Sequence, residues 1–328
     1  LKYDIDYTIE SNFNTLKYGR LMLLCDQDVD GFHITGLIIN FIHRLFPSLL
    51  KRSKPYIVDM YTPIAKVMTK PKPIVFYDER EYNDYMLSNN NKYKSKYYKG
   101  LGTSSATEVK ETFSKKIVEY FYQGEKEDEM INKVFHKGYT NERKKWLEEY
   151  DPISYKRLST ETISQMSLTD FYDNVMIQFS LSDCGRSIPN IMDGMKSSQR
   201  KVIYCCFKRN LKQPIKVAQL SGYVSEHSNY HHGETSLNMA IVHMASCFVG
   251  GNNVPLLTRD GQFSSRNDSD DAASPRYIFT KLENITRLLY PENDDSLLEH
   301  VIDDGDLVEP KYYATIIPMI LANPTNAG

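Results

Sequence analysis

Asp26-Gln27-Asp28-Val29-Asp30-Gly31 sets three carboxylates at alternate positions and ends on a glycine. Three like charges this close repel one another unless something positive joins them. Their oxygens suit a hard divalent cation such as Mg²⁺, and a solvated acidic turn is the plainer alternative. The spacing also fits the start of a calcium-binding EF-hand loop, which needs a Glu at its twelfth position; counted from Asp26 that position is Leu37. A second group lies far along the chain, where Arg276 precedes Tyr277. A phenol is a competent oxygen nucleophile once deprotonated, but its pKa of about 10 keeps it protonated at neutral pH. A neighbouring guanidinium lowers that barrier and stabilises charge developing on the group under attack. The chain has 24 tyrosines, so the pair alone singles nothing out. Third come His231 and His232, adjacent and followed by Gly233-Glu234. Either imidazole could donate to a phosphate or move a proton. Together with His227 and Glu234 they could instead bind zinc, although adjacent histidines share tetrahedral coordination poorly.

Elements that could position these groups follow from apolar spacing. Residues 21–25 form a short apolar run, read as a buried strand. Ile34, Leu37, Ile38, Phe41, Ile42 and Leu45 then recur at helical spacing. Strand, acidic loop and helix begin a parallel α/β unit, and ligand sites in such sheets gather at the C-terminal ends of strands. Residues 56–67, broken by Pro63, read as strand and turn, and residues 96–98 as a strand before a Gly100-Leu101-Gly102 turn. Val109, Phe113, Ile117 and Phe121 predict one helix beginning near Thr107. In the second half, helices are expected over 168–179, 199–210, 217–224 and 235–248. Two of them, joined across Gln213-Pro214 on a basic background, suggest helix-turn-helix or winged-helix geometry. The domain division is expected after residue 155.

Charge is unevenly spread. The net charge is -2, yet Arg186, Lys196, Arg200, Lys201, Lys208, Arg209, Lys212 and Lys216 fall in one segment with a single acid, Asp193. Such a segment could serve a phosphate backbone or be a solvated face with its countercharge elsewhere. Acids crowd residues 292–309. A hydrophobic share of 41% and a charged share of 25% are those of a globular protein with room for two cores. No apolar run is long enough to span a membrane, so no membrane partner is expected. Five cysteines without a C-x-x-C pair are expected to be reduced and mostly buried. A first residue other than Met points to a piece of something longer.

Longer motifs carry a resemblance. The D-x-D-x-D-G loop is similar to the TOPRIM metal site of type IIA DNA topoisomerases of the eukaryotic kind. Tyr97-Tyr98-Lys99-Gly100-Leu101-Gly102-Thr103-Ser104 resembles that family's K-Y-Y-K-G-L-G-T-S, and Tyr61-Thr62-Pro63-Ile64-Ala65-Lys66-Val67 its T-P-I-x-K-V. Arg186-Ser187-Ile188-Pro189, Asp193-Gly194-Met195-Lys196 and Gln199-Arg200-Lys201 resemble R-S-I-P…D-G-x-K-x-x-Q-R-K; Tyr230-His231-His232-Gly233-Glu234 resembles Y-H-H-G-E. Asp271-Ala272-Ala273-Ser274-Pro275-Arg276-Tyr277 resembles the active-site segment. The series covers essentially the whole chain in the family's order.

The resemblance implies a TOPRIM α/β domain over 1–155, a parallel sheet flanked by helices, followed by a mainly helical winged-helix (α+β) domain over 156–328. It implies an isomerase that cuts and rejoins double-stranded DNA. Tyr277 would attack and stay bonded to the 5′ phosphate, aided by Arg276, His231 and His232. Asp26, Asp28 and Asp30 would hold Mg²⁺ in a two-metal type of site. Arg186, Lys196, Arg200, Lys201, Lys66 and Lys99 would contact DNA. It further implies a homodimer, the metal loop coming from the partner, and a nuclear location, or a viral factory or virion should the source be a large DNA virus. ATP would drive the cycle from a region upstream, with an exit gate downstream. The family's metal site also uses a Glu from an E-G-D-S segment that this sequence lacks. Ser197-Ser198 replaces the usual Pro-Gly, residues 261–270 are more acidic than the usual glycine-rich loop, and the sequence stops just before the G-I-G-T-G turn whose isoleucine wedges into DNA. Alternatives are a TOPRIM nuclease or primase-like enzyme, which needs the acidic loop alone, and a non-catalytic winged-helix module, which needs neither site.

Overall fold

The computed structural model describes all residues except 91, 99, 114, 153–162, 249, 269–270, 304–305 and 325–328. Contacts divide it into Leu1–Ser182 and Asp183–Gly328, later than the division expected after residue 155. The reason is pairing: the strand Ile163–Ser167 completes the first unit's main sheet, and Leu168, Phe171 and Tyr172 fill that unit's core.

In the first unit the order is α1 (Glu10–Phe13), β1 (Leu21–Leu23), α2 (Val29–Leu45), α3 (Pro47–Leu50), β2 (Ile57–Met60), β3 (Ala65–Val67), β4 (Ile74–Phe76), α4 (Glu79–Ser88), β5 (Ser95–Tyr97), α5 (Ala106–Thr112), β6 (Ile117–Phe121), α6 (Glu125–Phe135), α7 (Thr140–Glu148), β7 (Ile163–Ser167), α8 (Leu168–Phe171) and α9 (Ile177–Ser187). The main sheet runs β1-β2-β6-β7. Its outer pairs are parallel and β2–β6 is antiparallel, so the sheet is mixed where a parallel one was expected. The strand–loop–helix reading of β1 and α2 matches what is observed. Ile39 and Ile42 of α2 and Ile57 of β2 are almost wholly buried, each contributing roughly 1.5–3 kcal/mol of apolar transfer.

One expected helix is two elements. α5 stops at Thr112, and residues 117–121 form β6, with Val118 and Tyr120 buried and their neighbours half-buried. A spacing of four residues repeats on a helix face and equally on a strand face, so Phe113, Ile117 and Phe121 could not tell the two apart. The pairing of β6 with both β2 and β7 decides it.

The second unit runs α10 (Ser197–Lys208), β8 (Ile215–Lys216), α11 (Val217–His227), α12 (Glu234–Ala245), β9 (Phe279–Thr280), α13 (Thr286–Leu289), β10 (His300–Asp303), β11 (Asp306–Pro310) and α14 (Met319–Ala322). α10, α11 and α12 pack around Val202, Ile203, Leu220, Val224, Leu237 and Ile241, and β8 pairs with β9 antiparallel. A TOPRIM α/β unit followed by a mainly helical winged-helix unit is the fold expected. Of the cysteines only Cys205 and Cys206 are buried; Cys25 is half-buried, and Cys184 and Cys247 are exposed, fewer buried than expected. Among the described residues no helix is long and apolar enough to cross a membrane.

Candidate active site for phosphate chemistry

The acidic loop begins where β1 ends. Asp28 is the N-cap of α2, its Oδ1 accepting the Gly31 N–H at 2.7 Å. Gly31 is required by proximity: a Cβ there would lie 2.0 Å from the Asp26 carbonyl oxygen. Asp26 Oδ1 accepts the Leu101 N–H at 2.6 Å, which ties the Gly100–Gly102 turn to the loop. That turn is itself held from behind. Glu108 of α5 takes Lys96 Nζ at 2.7 and 2.8 Å, the Tyr98 hydroxyl at 2.8 Å and the Ser105 N–H at 2.9 Å. The Lys96 ammonium, first, and these hydrogen bonds hold the Glu108 carboxyl well below its usual range. Lys66 on β3 donates to Glu111 at 3.2 Å. Lys99 lies outside the described residues.

The donor set suits Mg²⁺ in kind but not in number. Asp26 and Asp28 offer carboxylate oxygens, and Gln27 Oε1 between them is buried without a hydrogen-bond partner. Yet among the described residues no three His, Cys, Asp or Glu side chains converge as metal ligands would. The same observation gives no support to a zinc site at the histidines.

In the second unit Tyr277 stands on a turn closed by its N–H to Ser274 O at 2.8 Å. The turn is stitched to the start of α11: Val217 N–H donates to Ile278 O and Ala218 N–H to Pro275 O, both at 3.0 Å. Ile278, 1% exposed, anchors the segment in the core, while Tyr277 beside it is 69% exposed. The reactive side chain is therefore held out from a fixed backbone. The Arg276 guanidinium carbon is 5.7 Å from the Tyr277 ring centre, and its Nε donates to Ser274 Oγ at 3.3 Å. His231 Nε2 is 3.2 Å from Asp303 Oδ1, and His232 packs edge-on against Tyr230.

The basic segment divides in two. Lys208, Arg209, Lys212 and Lys216 are exposed. Lys196 is half-buried, and Arg186 lies 3.6 Å from Asp183. Arg200 and Lys201, expected at DNA, point inward instead. Arg200 Nε and Nη2 reach the two oxygens of the fully buried Asp193 at 2.6 and 3.1 Å. Lys201 Nζ donates to Glu309 Oε2 at 2.8 Å and Ser228 O at 2.5 Å. A buried cation needs a buried partner, and acids of the 292–309 crowd supply it for Lys201. Sequence reasoning missed Asp193 as a hub. It also accepts Met195 and Tyr313 N–H groups at 2.9 and 3.0 Å. The clue was in view: it is the one acid of a basic segment. Gly194 beside it has φ 67°, and a Cβ there would come within 2.7 Å of the Ile320 nitrogen.

Comparison with known proteins decides the family. Residues 60–184 match the family model of the C-terminal associated domain of TOPRIM, and residues 186–327 match that of DNA gyrase/topoisomerase IV. DNA topoisomerase 2-alpha of Homo sapiens is 44% identical over 338 residues, spanning 98% of this chain and 22% of that protein. The chain belongs to the type II DNA topoisomerases. Probable DNA topoisomerase 2 of Dictyostelium discoideum is 46% identical over 327 residues, 98% of this chain and 21% of its own length. The crystal structure of the Plasmodium falciparum topoisomerase II DNA-binding, cleavage and re-ligation domain superposes with TM-score 0.76 at 45% identity, over 94% of this chain and 42% of that one. The chain thus spans about a fifth of the length of the curated topoisomerases it matches. The changeover between the two family matches, at 184–186, falls beside the division of the topoisomerase chain into its two units.

Proposed function

We propose that this chain is the DNA cleavage and religation core of a type II topoisomerase, with Tyr277 as nucleophile. The observation that carries the reading is the exposed Tyr277 side chain on a turn fixed at both ends to α11 and the core. Attack by the Tyr277 oxygen forms a bond to phosphorus and breaks the bond to the 3′ oxygen. The phenolic proton goes to a base, and the departing 3′ oxygen takes one up. Arg276 stabilises the phenolate and the phosphate charge; the histidine turn supplies a proton carrier or a phosphate donor. Because the phosphodiester is exchanged for a phosphotyrosine ester, resealing is the same step reversed.

Asp26, Asp28 and Asp30 would supply oxygen ligands to Mg²⁺, with further ligands from outside the described residues. When bound, the ion neutralises phosphate charge. Arg186, Lys196 and the exposed basic face of α10 to α11 would hold the duplex by its phosphates without reading sequence. We further read the working assembly as a homodimer, each subunit cutting one strand and lending its metal loop to the other. Its cycle would be driven by ATP bound elsewhere in a longer protein, and its place is the nucleus.

The test is denaturant trapping with Mg²⁺ and supercoiled DNA, using this chain within a protein of its relatives' length. Protein covalently bound to 5′ ends is the expected product. Free 5′ phosphates would mark a hydrolytic nuclease, and uncut DNA a binding module.

A further inference from the structure

The histidine turn is clamped at three places by residues far away in sequence. The Ser228 carbonyl oxygen accepts from Lys201 Nζ at 2.5 Å. Asn229, in the left-handed region at φ 49°, sends its side-chain amide to the Asp303 carbonyl oxygen at 2.9 Å. His231 Nε2 meets Asp303 Oδ1 at 3.2 Å. Asp303 is in turn held by Lys201, whose Nζ lies 3.7 Å from its Oδ2 while also paired with Glu309 on β11. One lysine on α10 and one hairpin, β10–β11, therefore fix where the turn begins.

We propose that Asp303 is a positioning residue for the cleavage reaction, acting through His231. The inference rests on the functional reading above. A carboxylate can only accept, so the contact makes Nε2 the N–H of the ring and Nδ1 the basic atom of the neutral imidazole. In the neutral imidazole Nδ1 takes up a proton; in the charged one it donates to a phosphate oxygen. Either role needs the ring held in one orientation, and the carboxylate supplies that as well as favouring the charged form. Lys201, matched to a DNA-facing motif by sequence, acts here as the strut that keeps Asp303 in place.

The test is a double-mutant cycle on single-turnover cleavage at saturating duplex, in a protein of full relatives' length. Asp303→Ala should slow cleavage about tenfold or more, a share of the roughly 10²–10⁴ that a positioned proton-transfer group supplies, with duplex affinity changed by less than about twofold. Asp303→Asn keeps an oxygen that accepts from Nε2 and should recover part of the rate. On a His231→Ala background neither substitution should slow cleavage further. Wild-type rates in both Asp303 variants, or losses that multiply with that of His231→Ala, would overturn the proposal. If Asp303→Ala lowers the melting temperature, the Asn cycle alone decides, by the same two outcomes. Tyr277→Phe run in parallel keeps the readings apart: an adduct surviving there overturns the functional reading, whereas its loss beside unaffected Asp303 variants overturns only this one.

Discussion

Leu101 donates its backbone N–H to Asp26 Oδ1 across 2.6 Å, joining residues 75 positions apart. The turn next to Lys99 is thereby placed against the acidic loop, and the loop's first carboxylate is oriented by backbone rather than by a flexible side chain. Asp28 is fixed by another backbone N–H, as the cap of α2.

These two carboxylates should respond differently to loss. Asp28→Ala removes an N-cap and should cost about 1 kcal/mol of stability, contrary to the relief that charge repulsion alone would suggest. Asp26→Ala frees an exposed N–H that water can satisfy and should cost less. Both should abolish Mg²⁺-dependent cleavage. Thermal melts and cleavage assays on the two variants check this; undiminished cleavage in both would remove the loop from the metal site.

Arg200 and its neighbours in sequence should separate by assay. Arg200→Ala leaves Asp193 charged and buried, and should cost roughly 3–5 kcal/mol in urea unfolding. Lys196→Ala and Arg186→Ala should leave stability within about 0.5 kcal/mol and instead reduce the salt dependence of duplex binding by about one counterion each. A stable Arg200→Ala with a reduced salt slope would contradict the buried ion pair.

Asp59 on β2 gives the fold a pH dependence. Burial pushes its carboxyl from an ordinary 3.8 up to about 7, and hydrogen bonds from Tyr120 and Thr35 only partly offset this. The folded chain then holds a proton that the unfolded chain has released. The stabilisation is fully present below about pH 4 and is lost as pH rises through about 7. Asp59→Asn keeps an acceptor for both hydroxyls and should flatten melting temperature between about pH 5 and about pH 8. An unchanged slope would place the titration elsewhere.

What the sequence made legible was local. An apolar run, three alternating acids and a helical stripe mark β1, the acidic loop and α2, because capping and burial there involve neighbours in the chain. Tyr277 was visible only through its flanking residues, since a lone tyrosine among 24 carries no signal. β6 was hidden because a four-residue spacing suits both helix and strand, and only its partners β2 and β7 decide. The inward turn of Arg200 and Lys201 was hidden for a like reason: residue type gives charge but not direction. The clamp of Asp303 on His231 spans 72 positions and belongs to tertiary packing alone.

The central claim is tested most directly by Tyr277→Phe. The substitution deletes one oxygen and keeps a ring that is mostly in solvent, so folding and duplex affinity should be unchanged, with Arg186 and Lys196 untouched. With Mg²⁺ and supercoiled DNA, trapped by denaturant, the wild type should carry covalent protein on 5′ ends and the Phe variant none. Covalent DNA on the Phe variant would show that another residue is the nucleophile.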